Sequence, residues 1–109
     1  MVKEIYTARD FEGYEVENRG AVFAPVTYGR HIGRDLMAKV ADTLGGRSGG
    51  TDKVIRAAVE QAQEELLALA RERGGNAVIG FRADVEFSGA EGGMVTVLAT
   101  GDAAYIRKG

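Results

Sequence analysis

The chain has 109 residues, the size of one domain, and 45% apolar with 28% charged residues is an ordinary globular balance, which excludes a wholly disordered chain. Fourteen basic and sixteen acidic residues are interspersed to a net charge of −2. With no basic run, binding to a nucleic-acid backbone is not expected unless folding gathers Arg30, Arg34 and Arg47. There is no cysteine, no apolar run long enough for a membrane span and no apolar signal core at the start, so a cytoplasmic protein without membrane or disulfide chemistry is expected.

In chain order, Lys3–Thr7 is a short β-leaning run before the turn residues Asp10-Phe11-Glu12-Gly13. Residues 14–26 are rich in β-formers, and Pro25, which has no N–H for a ladder, marks a strand end or an edge strand. Ile32, Leu36, Val40 and Leu44 recur at helical spacing, so a helix is predicted over 32–44, stopped by Gly45-Gly46. A second and longer helix is predicted over 52–73. Ile55, Ala58, Val59, Ala62, Leu66, Leu69 and Ala70 form its stripe, and Gly74-Gly75 closes it. Leu67 falls off that stripe, on the face of Arg56, Glu60 and Glu64, and is expected to be exposed.

Two long strands follow. Residues 77–87 alternate with a period of two, residues 94–106 return with Val95, Val97, Ala99, Ala103 and Tyr105 on one face, and a glycine-rich hairpin loop joins them. The expected fold is a single α+β domain over residues 1–109, an antiparallel sheet packed against two helices, in the order β-α-α-β-β with a short extra N-terminal strand. Strands this long outrun the cover of one helix face, which leaves apolar sheet bare in a single copy and points to assembly with further copies.

Three groups of residues are candidate sites. In Gly45-Gly46-Arg47-Ser48-Gly49, unshielded backbone N–H groups, a hydroxyl and a guanidinium precede a helix N-terminus, the parts of an anion-binding nest. The competing reading is a tight corner between helices, with Arg47 tied to a carboxylate or a neighbouring subunit. Asp84 and Glu86 share one face of a strand beside Arg82; they serve either as solvated surface charges or as a carboxylate pair for acid–base work or a hard cation. For a soft metal the chain offers one histidine, three methionines and no thiolate. A metal site would therefore need His31, Asp35 or Asp84 repeated around a symmetry axis. No Ser-His-Asp arrangement emerges from Ser48, Ser88 and His31, and an enzyme is not favoured.

Gly33-Arg34-Asp35, Gly45-Gly46-Arg47-Ser48-Gly49, Glu64-Glu65-Leu66 and Gly75-Asn76-Ala77-Val78-Ile79-Gly80 together resemble the YbjQ-like family of uncharacterised proteins, often called putative heavy-metal-binding domains, over about residues 15–106. The resemblance implies a dodecin-subunit-like two-layer fold, a ring-shaped homo-oligomer (a pentamer) and no established activity. His31 stands where the family commonly has a small polar residue, so it inherits no role. Three functions remain open: a ring binding a small anionic or metal ligand at subunit boundaries, a hydrolase or transferase with a site completed between subunits, and a purely structural scaffold.

Overall fold

The computed structural model describes residues 3–29, 50–88 and 93–109. Its elements are β1 (Tyr14–Gly29), α1 (Gly50–Glu72), β2 (Ala77–Ser88) and β3 (Met94–Lys108). The three strands form one antiparallel sheet in the order β1-β3-β2, so β3 is central and the other two are edges. Pro25 lies well inside β1, which tolerates it as an edge strand. The expected α+β class holds, with one helix among the described residues. The helix predicted over 32–44 and the glycine-rich corner after it lie outside them.

The Lys3–Thr7 run forms no strand; it makes a single parallel bridge between Ile5 and Val78 on the outer edge of β2. Glu4, in the left-handed region at φ 70°, keeps the segment from continuing as an extended ladder.

Each edge strand carries a bulge against β3. On β1 the register shifts between Asn18 and Ala21, and on β2 between Ile79 and Arg82. In each case two residues stand opposite one on β3, and both shifts converge on Asp102, paired with Ala21 on one side and Ile79 on the other. Gly80 takes the positive-φ position of the β2 bulge at φ +60°, where a side chain would be strained.

Helix α1 ends in a Schellman motif. Gly74 has φ +79°, its N–H donates to the Arg71 carbonyl at 3.0 Å, and the Gly75 N–H donates to the Ala70 carbonyl at 2.8 Å. The next residue starts the sheet. Asn76 Nδ2 donates to the Ile106 carbonyl and its Oδ1 accepts from the Ile106 N–H, both at 2.8 Å, so a carboxamide stands in for one more rung of backbone pairing.

The core lies between α1 and one face of the sheet. Ala58, Ala62, Leu66, Leu67 and Ala70 pack against Val22, Ala24 and Val26 of β1, Val78 of β2, and Val97, Ala99 and Ala103 of β3. The expectation for Leu67 is overturned: it is buried and belongs to the core. In the C-terminal half of α1 the buried face is centred near Leu66 and widens to take in Gln63 and Leu67, and a polar residue at Gln63 hides that widening in the sequence pattern. Tyr105, which the alternation places on the same face as Val97 and Ala99, is 39% exposed near the end of β3.

Candidate functional site

The sheet has two unlike ends. At the bulged end β2 and β3 are covered on both faces over a short stretch: consecutive residues Ala77, Val78 and Ile79 on β2, and Ala103 and Ala104 on β3, are all buried, while β1 beside them is mostly exposed. The chain passes here from Ile5, at the β2 edge, to Tyr14, at the start of β1 on the opposite edge. Arg9 on that crossing lies over Gly80, where a Cβ would meet its guanidinium at 2.6 Å. Tyr6 and Phe11 pack edge to face at 4.9 Å within the same segment.

The polar centre of this end is Asp102. Arg9 Nη1 donates to its Oδ2 at 2.5 Å, and Asn18 Nδ2 donates to the same oxygen at 3.1 Å, while Asn18 Oδ1 accepts from the Gly20 N–H at 2.7 Å. The hydrogen bond from Arg9, more than the one from Asn18, holds the Asp102 carboxyl below the usual carboxylate range, against the smaller opposing push of burial. A shallow groove of about 460 Å³ runs from this pair along the outer face, past Ala21, Phe23, Leu98 and Thr100. The arrangement holds an arginine in place and presents an apolar trough beside it. Among the described residues it lacks a nucleophile–base pair.

Beyond the bulges no described residue covers the outer face. Residues directly opposite in antiparallel strands share a face, which aligns Phe23, Thr100 and Arg82, then Pro25, Leu98 and Asp84, then Thr27, Thr96 and Glu86. Phe23 is 66% exposed, and Leu98 and Met94 are exposed as well. The Thr27 and Thr96 hydroxyls bond across the strands at 2.9 Å. On β2, residues 82–88 are exposed on both faces, because α1 packs mainly over β3 and β1. Val85 and Phe87, aligned with buried Val97 and Val95, are left uncovered.

On the covered face Tyr28 donates its hydroxyl hydrogen to Gln61 Oε1, and Gln61 Nε2 donates to Glu65 Oε1 at 3.5 Å. Burial, then the Glu65 charge, raises the Tyr28 pKa. In this arrangement the phenol acts as a hydrogen-bond donor to α1.

Of the residues singled out from sequence, Asp84 lies on the bare face in line with Leu98, with Arg82 and Glu86 exposed on either side of it. Gly45, Gly46, Arg47, Ser48, Gly49, His31 and Asp35 lie outside the described residues. No cluster of three or more His, Cys, Asp or Glu side chains suited to a metal occurs among the described residues. Sequence reasoning passed over Asp102, Arg9 and Asn18. The signal was there: Asp102 is the one charge in Leu98-Ala99-Thr100-Gly101-Asp102-Ala103-Ala104, and a charge in the middle of a strand that should be buried needs a partner.

A family model described as putative heavy-metal-binding, YbjQ, matches residues 4–107. The chain belongs to this family. Within the YbjQ family it is 36% identical over 104 residues to a UPF0145 protein of Actinobacillus pleuropneumoniae, covering 94% of this chain and 98% of the relative. It is 34% identical over 105 residues to a UPF0145 protein of Anoxybacillus flavithermus, covering 95% and 98%. A crystal structure of a protein of unknown function from Pediococcus pentosaceus, assigned to the DUF74 family, superposes with a TM-score of 0.63 at 18% identity, covering 94% of this chain and 96% of that one. That likeness shows the fold. The family match begins at Glu4 and so takes in the N-terminal crossing, which the resemblance read from sequence left out. No helix among the described residues is long and apolar enough to cross a membrane.

Heavy metals favour thiolate and imidazole, and this chain has no cysteine and one histidine. A single copy does not fit such a metal.

Proposed function

We propose that the protein is the subunit of a homo-oligomeric ring that holds a small anionic or metal ligand where subunits meet. The observation that carries the reading is the bare half of the sheet: Phe23, Leu98 and Met94 on one face, and Val85 and Phe87 on the other, are all 39–66% exposed. Contiguous exposed apolar surface of this kind marks an interaction site. A pentamer is the ring that membership in the YbjQ family leads one to expect. Any metal would take donors from more than one copy, and Asp84, exposed on the bare face, is a described carboxylate free to face a second copy. The ring is read as cytoplasmic and as a binder rather than an enzyme.

Light scattering at micromolar concentration tests the reading. The expected mass is several times 11.6 kDa, and a monodisperse monomer overturns it. Metal analysis and mass spectrometry of the ring purified without added ligand then identify what it carries.

A further inference from the structure

The outer edge of β2 is treated differently along its length. From Val78 to Phe81 its backbone groups are occupied by the N-terminal segment. The Val78 N–H donates to the Glu4 carbonyl at 2.9 Å, the Tyr6 N–H to the Val78 carbonyl at 2.8 Å, the Phe81 N–H to the Tyr6 carbonyl at 3.0 Å, and the Gly80 N–H to the Ala8 carbonyl at 3.3 Å. Beyond Phe81, no described residue pairs with this edge.

An unpaired strand edge is a template for another chain. We propose that residues 4–9 form an edge strap, clasped by Arg9 on Asp102, that bars the Val78–Phe81 edge from pairing with a second copy of this chain and confines any such pairing to Arg82–Ser88.

Three features fit a strap rather than a fourth strand. It makes one regular bridge, at Ile5, while its bonds to Gly80 and Phe81 run irregularly across the β2 bulge and Glu4 is in the left-handed region, so it offers the next chain no regular ladder. Its own side chains anchor it: Ile5 is buried in the core, and Tyr6 packs on Phe11. Its far end is fastened by a charge pair seated where Gly80 has no Cβ, and Asn18 of the β1 bulge steadies the carboxylate. The Arg9 side chain is 59% exposed, so the clasp can open without unpacking the core. The strap fits a closed ring, because an edge open along its whole length would let copies add in more than one register. The proposal rests on the oligomer reading only for the identity of the competing chain.

The test uses the full-length protein with Arg9→Ala and, separately, Asp102→Asn. Amide hydrogen exchange reads the strap, and sedimentation velocity reads assembly. Both variants should speed exchange at the Tyr6, Val78 and Phe81 amides by on the order of tenfold, with Val97 on the central strand unchanged. Both should also shift the wild-type species to heavier, polydisperse ones. Unchanged exchange in both variants overturns the clasp. Faster exchange with an unchanged size distribution overturns the barring role. A wild type that sediments as a monomer counts against the ring, while the strap is still decided by the difference between variant and wild type.

Discussion

The two halves of the sheet are made of the same three strands, with similar apolar alternation, and meet different fates. At the bulged half, Val78 and Ala103 face α1, while their neighbours Ile79 and Ala104 are buried as well, at the end of the sheet crossed by the N-terminal segment. At the hairpin half, Val97 and Ala99 are buried under α1, but Leu98 between them is open, and on β2 both faces are open. The difference is one of cover and not of strand sequence: Val85 is as apolar as Val78, yet it is 40% exposed where Val78 is fully buried. One half holds most of the buried contacts with α1, and the other leaves apolar side chains exposed among the described residues.

The largest expected break in this contrast is Leu66→Ala. Leu66 is fully buried at the centre of the covered half, and truncation should cost about 2–5 kcal/mol. A urea titration checks it against Glu60→Ala, an exposed position on the same helix that should stay near neutral. Equal midpoints would place the core elsewhere.

Asn76→Ala comes next. It leaves the Ile106 N–H and carbonyl without their 2.8 Å partners, and a loss of about 1–3 kcal/mol is expected from the same titration, with faster amide exchange at Ile106.

Asp102→Asn should cost about 1 kcal/mol at neutral pH, as a partly exposed ion pair. The pH dependence carries a sign. The folded carboxyl titrates below its unfolded value, so its contribution is complete above the ordinary carboxylate range and fades as the pH falls through the folded value. The stability gap between wild type and Asp102→Asn should therefore narrow on acidification from about pH 6 towards pH 3. A gap that widens would mean that another group dominates.

The smallest effect on folding belongs to the bare half. Phe23→Ser should change the stability of the dilute chain by no more than about 0.5 kcal/mol, since the ring is already in water. The same substitution should lower the mass seen by light scattering. Strong destabilisation without a change in mass would make Phe23 part of the core and remove the distinction between the halves.

Much of this was legible in the residues. The long helix, its glycine stop, the two C-terminal strands, the edge character of Pro25 and the family resemblance all follow from local rules of period, turn chemistry and motif, which act over a few residues. The expectation of bare apolar sheet came from strand length together with apolar content, because long apolar strands outrun a single helix face, and the strands observed run to 12, 15 and 16 residues. Other features depended on partners distant in the chain. Leu67 is buried because the sheet beneath α1 reaches beyond the stripe that periodicity marks, and Gln63 beside it breaks the apolar pattern. Lys3–Thr7 looked like a strand, but the bulge at Gly80 and the left-handed Glu4 leave it one regular bridge and a few irregular hydrogen bonds. Arg9, Asn18 and Asp102 became one cluster only when two bulges on separate strands brought residues 84 and 93 positions apart onto one oxygen. Sequence periodicity determines which way a side chain faces on its own element, whereas tertiary structure decides what, if anything, lies opposite it.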